Sequence, residues 1–226
     1  MRSGSAVTPR LWIVTGTDTG IGKTWVTCRL AETLRARGTR VRAIKFLESG
    51  TDPEPSESED GVKLARAAGQ ASPSAALRRY RAPLTPADAA RLEGQTVELA
   101  PIETEMIRIA CEAESTLVEG AGGLLAPLNH RRTLLDVARR HAASVLVVAA
   151  DRLGTLNHTL LTLSMLDFSG VPCAGVVMNR LPDADPATDP SVGRNAATLH
   201  EVRPATPIVE TAHPGWDEVV LGWLRT

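Results

Sequence analysis

Along this chain, short apolar runs alternate with stretches in which apolar residues recur every three or four positions. The first pattern is that of buried strands and the second that of amphipathic helices. Residues 11–15 predict the first strand. Residues 23–37 predict a helix, with Val26, Leu30 and Leu34 on one face and Gly38 as its stop. Further strands are predicted at 41–46, 115–119, 145–150, 173–178 and 208–209. Helices are predicted at 60–68, 102–114, 133–140, 157–168 and 194–202, with another near the C-terminal end. Thr85 followed by Pro86 reads as an N-cap with Pro at the first helical position. Two polar segments break the alternation: an acidic, Pro-containing loop at 48–59 and a Pro/Asp-rich loop at 181–190.

This alternation predicts an α/β fold, a single doubly wound, mainly parallel sheet with helices on both faces. Residues 1–226 read as a single domain, since no internal repeat or linker is evident. Ligands of such sheets bind beyond the carboxyl ends of the strands. The chain has 226 residues, enough for a large core, and its aromatics are few while Ala, Val and Leu are many. Its net charge of −1 carries no electrostatic footprint for nucleic acid or an anionic membrane. No apolar run reaches membrane-spanning length, and residues 1–10 lack the apolar core of a signal peptide. A cytoplasmic location is the expectation. Cys28, Cys111 and Cys173 have no metal-ligand spacing and are odd in number, as expected of free thiols in a reducing compartment.

The candidate chemistry begins between the first strand and the first helix. Gly16-Thr17-Asp18-Thr19-Gly20-Ile21-Gly22-Lys23-Thr24 has the composition and the strand–loop–helix setting of a phosphate-binding loop. Its backbone N–H groups would cradle phosphate oxygens, Lys23 would reach the terminal phosphates, and the Thr24 hydroxyl would hold Mg²⁺. The loop is one residue longer between its outer glycines than the common form.

Several other polar groups fall at predicted strand ends. Lys45 is either a solvated strand-end lysine or a stabiliser of charge on a transferred phosphoryl group. Glu119 either ends a strand before Gly120 or serves as a hard-oxygen Mg²⁺ ligand. Asp60 is either a helix N-cap or a second Mg²⁺ carboxylate, the latter only if the acidic loop folds back. Asp151 reads as a turn residue. Gly154, Thr155, Leu156 and Asn157 form either an ordinary capped helix start or an anion pocket of free N–H groups. The five histidines form no metal pattern, although His158 lies in a helix start. No Ser/His/Asp arrangement is evident.

Taken together these motifs resemble the dethiobiotin synthetase family of P-loop ATPases. The resemblance rests on the 15–24 loop with its extra residue, on Val118-Glu119-Gly120-Ala121-Gly122-Gly123, and on Leu153-Gly154-Thr155-Leu156-Asn157-His158-Thr159. Lys45, Ser49 and Gly50 occupy the polar positions of the family's KPVxSG motif, and Asp60 falls where the family has a Mg²⁺-binding Asp. The resemblance implies ATP and Mg²⁺ as cofactors, with 7,8-diaminononanoate and CO2 as substrates. A carbamate and a carbamic–phosphoric anhydride would lead to ring closure to dethiobiotin. It implies nucleotide contacts from Asp18, Thr19, Gly20, Ile21, Gly22, Lys23, Thr24, Glu119 and Gly122, with Asn179 at adenine. Metal would be held by Thr24, Asp60 and Glu119. Catalytic roles would fall to Lys23 and Lys45, with Thr19 and Ser49 on the carbamate. The substrate carboxylate would meet Gly154, Thr155, Leu156 and Asn157 of a partner subunit, which implies a homodimer.

The chain departs from the family pattern at Phe46 and Leu47, which replace Pro and Val, and at Glu48, which replaces a small or neutral residue. Glu48 puts a negative charge beside a site for anions, so it is expected to point outward or pair with a cation. Three rivals are weighed against this reading. An amidating ligase of the same fold would need a glutaminase domain for which the chain has no room. A switch-type ATPase acting on a protein partner has a signature lysine where Asp18 stands. A nucleotide-binding relative without catalysis would draw its support from Phe46 and Glu48.

Overall fold

A computed structural model describes residues 10–224. The leader reading of the first residues therefore lies largely outside the described part. Among the described residues, eight strands and eight helices follow one another. They run β1 (Arg10–Gly16), α1 (Lys23–Ala36), β2 (Val41–Lys45), β3 (Glu48–Ser49), α2 (Asp60–Ala68), β4 (Arg79–Tyr80), α3 (Pro86–Leu92) and α4 (Leu99–Ala110). The second half holds β5 (Ser115–Gly123), α5 (Leu134–Arg140), β6 (Ser144–Ala150), α6 (Thr155–Phe168), β7 (Cys173–Asn179), α7 (Asn195–Val202), β8 (Ile208–Glu210) and α8 (Trp216–Trp223).

The main sheet has the order β2-β5-β1-β6-β7-β8, and every neighbouring pair is parallel. The side-chain period of two sends alternate residues to opposite faces. Trp12, Val14, Leu117, Leu146 and Val148 pack with α1, α2 and α8, while Ile13, Val118, Val145 and Val147 pack with α4, α5 and α6. Each such side chain contributes about 1.5–3 kcal/mol when withdrawn from water. A strand buried on both faces needs apolar residues throughout, which is why these segments read as continuous apolar runs.

The structure departs from the sequence pattern at several elements; β5 runs on to Gly123, four residues past the predicted end at 119, so Glu119 does not end its strand. Helix α4 begins at Leu99 rather than 102, because Pro101 falls in its first turn, where no intrahelical N–H is required. It ends at Ala110, short of 114. Helix α6 begins at Thr155, two residues early, because Gly154 takes the left-handed conformation (φ 87°) at the N-cap position, so neither Thr155 nor Asn157 is the cap. The acidic segment at 48–59 is not simply a loop. Its first two residues form β3, which pairs in parallel with β4 in a separate small sheet (Glu48 beside Arg79, Ser49 beside Tyr80).

Among the described residues no helix is long and apolar enough to cross a membrane. Cys28, Cys111 and Cys173 are all free. Burial is the main cause that pushes the Cys28 thiol up to about 12 and the Cys173 thiol up to about 11.

Candidate active site

The chain reverses its winding direction around β1, the position where open α/β sheets bind ligands at the strand carboxyl ends. A cavity of about 690 Å³ lies there, bounded by the phosphate loop, the ends of β2 and β5, the first turn of α2 and the 83–86 segment. Thr19, Gly20, Gly22, Lys23, Thr24, Lys45, Ser49, Asp60 and Gly122 all line it.

The loop wraps its own lysine. The Lys23 ammonium donates to the Asp18 carbonyl at 2.8 Å and is buried. Burial, with the nearby Lys45 charge, holds its pKa below the ordinary lysine value. An anion in the cavity would relieve that repulsion. Gly22 at φ 85° admits no side chain: a Cβ there would meet the Asn179 amide nitrogen at 2.2 Å.

Register explains the central charge cluster. In the β2–β5 pair Lys45 is the direct neighbour of Glu119, so the two side chains share one face. The Lys45 ammonium donates to Glu119 Oε1 at 2.6 Å and to Asp60 Oδ2 at 2.8 Å. The Thr24 hydroxyl donates to the same Glu119 oxygen at 2.7 Å. Lys45 is therefore not a solvated strand end; it is 5 % exposed. Burial alone would lower its pKa, but the charges and hydrogen bonds of Glu119 and Asp60 outweigh that and raise it. Burial pushes Asp60 upward, yet the Lys45 ammonium wins and holds its carboxyl below the usual range. Asp60 thus reaches the cluster because the acidic segment does fold back, which was the condition for reading it as more than a helix cap.

Glu119 is fully buried, and its second oxygen, Oε2, has no hydrogen-bond partner. A buried carboxylate oxygen without a partner costs roughly 1–3 kcal/mol or more. With Thr24 and Asp60 beside it, the donor set is hard oxygen, which suits Mg²⁺ with its retained waters. Among the described residues no group of three or more His, Cys, Asp or Glu is placed to hold a metal ion.

Glu48 is found in a role that sequence reading did not foresee. It neither points outward nor pairs with a cation. Its carboxylate is buried and accepts the backbone N–H of Asp60 (2.6 Å) and of Gly61 (2.9 Å), which are first-turn donors of α2. Burial is the main cause that raises its pKa, opposed by those two N–H groups. Ser49 lines the cavity, with its hydroxyl proton donated to the Leu84 carbonyl at 2.6 Å. Glu48 itself lines the cavity too, and Leu47, Pro83, Leu84, Thr85 and Pro86 lie along the same wall. Of these, Leu47 was noticed as a departure within the family motif and Thr85–Pro86 as a cap signal, which marks a helix start rather than a site, while Pro83 and Leu84 carried no signal.

Two expected groups stand elsewhere. Asn179, at the end of β7, donates to the Ile21 carbonyl at 2.9 Å and accepts from the Thr211 hydroxyl at 3.1 Å, which braces the phosphate loop. It does not line the cavity. Nor do Gly154, Thr155, Leu156 and Asn157, which open α6 on the neighbouring strand end. Asp151 is a turn residue, binding the Gly193 N–H (2.7 Å) and the Asn195 amide (2.8 Å). His158 is exposed.

Fold and site together define a P-loop nucleotide-binding protein, and the AAA domain family model matches residues 10–210. Among solved structures the chain is similar to chloroplast FtsY from Physcomitrella patens (TM-score 0.54, 18% identity, 97% of this chain and 66% of that one). It is also similar to a ParA family ATPase from Chlorobium tepidum TLS (TM-score 0.55, 13% identity, 97% and 98%). At such identities these likenesses show the fold alone. Sequence relatives carry more. The ATP-dependent dethiobiotin synthetase BioD of Anaeromyxobacter dehalogenans strain 2CP-C is 44% identical over 198 residues, 86% of each chain. That of Caulobacter vibrioides strain NA1000 / CB15N is 38% identical over 208 residues, 90% of this chain and 93% of the relative. That of Mycobacterium sp. strain JLS is 44% identical over 199 residues, 86% of each. The chain belongs to the ATP-dependent dethiobiotin synthetase family.

Proposed function

We propose that this chain, acting as a single domain in the cytoplasm, joins 7,8-diaminononanoate and CO2 at the expense of ATP, giving dethiobiotin, ADP and phosphate. The observation that carries the reading is Lys45, wedged between Glu119 and Asp60 at the mouth of the phosphate loop. Phosphoryl transfer needs alignment and charge neutralisation more than covalent help. The chain supplies both from fixed groups. Thr24, Asp60 and Glu119 would hold Mg²⁺, and the unpartnered Glu119 Oε2 supports that fit. When bound, the ion would neutralise phosphate charge.

One amine of the diamine takes up CO2 and loses a proton to give a carbamate. A carbamate oxygen then attacks the γ-phosphorus, ADP leaves, and a carbamic–phosphoric anhydride forms. The second amine attacks its carbonyl carbon, closes the ureido ring and expels phosphate. Lys23 and Lys45 would hold charge developing on the migrating group. Thr19 would donate to the carbamate. Ser49 uses its one donor on Leu84, so towards the carbamate it offers lone pairs, which suit the N–H. Asp18, Gly20, Ile21, Gly22 and Gly122 shape the nucleotide cradle, and Asn179, with one amide N–H spent on the Ile21 carbonyl, would offer its second to adenine.

The tail carboxylate meets Gly154, Thr155, Leu156 and Asn157 of a second copy in a homodimer. The exposed Leu153, Leu161 and Phe168 on and beside α6 support such a contact, since large apolar groups grouped on one element mark interaction surfaces.

Phosphate release from ATP with Mg²⁺ and bicarbonate, with and without the diamine, tests the reading. Release that depends on the diamine, with dethiobiotin identified by mass spectrometry, is expected. Release without the diamine would favour a switch-type ATPase. ATP binding with no release under any condition would favour a relative without catalysis.

A further inference from the structure

Helix α2 starts with an unusual cap. The residue at its N-cap position, Glu59, makes no side-chain cap bond. Its carboxylate is instead held by the Arg79 guanidinium, with Nε at 2.7 Å. The first-turn N–H groups that a cap would satisfy are met from a distance in sequence. Glu48, twelve residues upstream on β3, accepts from both Asp60 N and Gly61 N. A carboxylate is the favoured partner there, because free N–H groups and the helix dipole both attract negative charge. Hydrogen bonds to an ionised acceptor are also roughly twice as strong as neutral ones.

The backbone is fixed from the other side as well. A Cβ on Gly61 would lie 2.2 Å from the Ala76 nitrogen, so this turn has no room to shift towards the 75–76 segment. The residue pinned between these constraints is Asp60. Its carboxylate points the other way, to Lys45 at 2.8 Å.

We infer that Glu48 is a positioning residue, which acts through the Asp60 backbone to hold the Asp60 carboxylate where metal and Lys45 meet. The inference rests on the metal role given to Asp60 above. It turns the extra negative charge at position 48 from a burden on the site into part of its support. Partners behind a metal ligand typically change metal affinity 10–100-fold when removed.

The test is Mn²⁺ affinity, read by electron paramagnetic resonance in the ADP complex, alongside ADP affinity in EDTA. Glu48→Ala should weaken Mn²⁺ about tenfold or more, and Glu48→Gln, which keeps one acceptor, should fall between it and wild type. Metal-free ADP affinity should move by less than about twofold, since the phosphate loop is untouched. In an Asp60→Asn background, Glu48→Gln should add almost nothing to the Mn²⁺ loss, because the two act as one unit. If Glu48→Ala does not fold, Glu48→Gln, equal in size, carries the test. Wild-type Mn²⁺ affinity in the Glu48 variants overturns the inference. So does a Glu48→Gln penalty that survives intact in Asp60→Asn. A wild-type enzyme that turns over while its Glu48 variants match it overturns this inference alone. A wild type that binds no Mn²⁺ and releases no phosphate overturns the site reading with it.

Discussion

The ends of β1, β2 and β5 and the end of β6 sit side by side in one sheet, yet they are built differently. At the first, charged groups are interlocked and mostly buried: Lys45 is held by two carboxylates, Lys23 by its own loop, and the partly exposed Asp60 by Glu48 behind it. At the second, Leu153 is 81 % exposed and the 154–157 turn faces no wall of the cavity. Charge in a low-dielectric site must be placed before the reaction if it is to act without reorganisation. A pocket for a flexible substrate tail has no such requirement. The contrast supports a division of labour in which one chain completes its own phosphoryl-transfer end and a second copy closes the tail end.

The strongest way to break that comparison is Lys45→Ala. Turnover should fall about 10³-fold, the size of losing a donor aimed at developing charge, while ATP affinity changes much less. The variant leaves Glu119 and Asp60 without their shared cation, and such a loss costs about 3–5 kcal/mol when the pair is buried. A thermal melt should therefore show Lys45→Ala destabilised, with Mg²⁺ and nucleotide restoring part of the loss. Steady-state kinetics decide: weaker ATP binding with normal turnover at saturation would mean that Lys45 holds ground state and transition state equally.

How much of each region was legible follows from the range of the interactions. The phosphate loop is local in sequence, so glycines, Lys23 and Thr24 announce it. Lys45 was legible as a strand end, whereas Glu119 was read as one although β5 runs on to Gly123, and their pairing depends on the β2–β5 register, which no local pattern states. Asp60 was legible only conditionally. The condition, folding back of the acidic segment, is met by the two-residue strands β3 and β4 and by the Arg79–Glu59 pair, all too short or too distant for periodicity to show. Glu48 was misjudged because a charge read alone suggests a cation partner. Its actual partners are backbone N–H groups, which every residue but proline carries. Asn179 was legible as a polar strand end, whereas its hold on the Ile21 carbonyl is a tertiary fact.

A smaller effect sharpens the second half of the comparison. Asn157→Ala should raise the KM for the diamine about tenfold, the loss expected for a hydrogen bond to a carboxylate, with the KM for ATP within about twofold. Mixing it with Lys45→Ala subunits makes the test directional. If the tail segment works across the dimer, a mixed dimer holds one site with Lys45 from one copy and Asn157 from the other, and that site should show the wild-type diamine KM. If the segment serves its own chain, every site in the mixture lacks one of the two, and no recovery follows.

The smallest effect concerns an ion pair that joins the regions, Arg152 on the β6–α6 turn to Asp18 in the phosphate loop, 3.3 Å apart. Both side chains are about half exposed, and pairs of that kind contribute roughly 0–1 kcal/mol. Salt near 0.15 M shortens their reach further. Arg152→Ala should therefore change both KM values by less than about twofold, and raising the salt should do the same to wild type. A large change in diamine KM from this substitution would mean that the phosphate loop and the tail segment move as one piece. The two regions would then be mechanically coupled rather than separately built, and the division drawn from their burial would fail at its most exposed link.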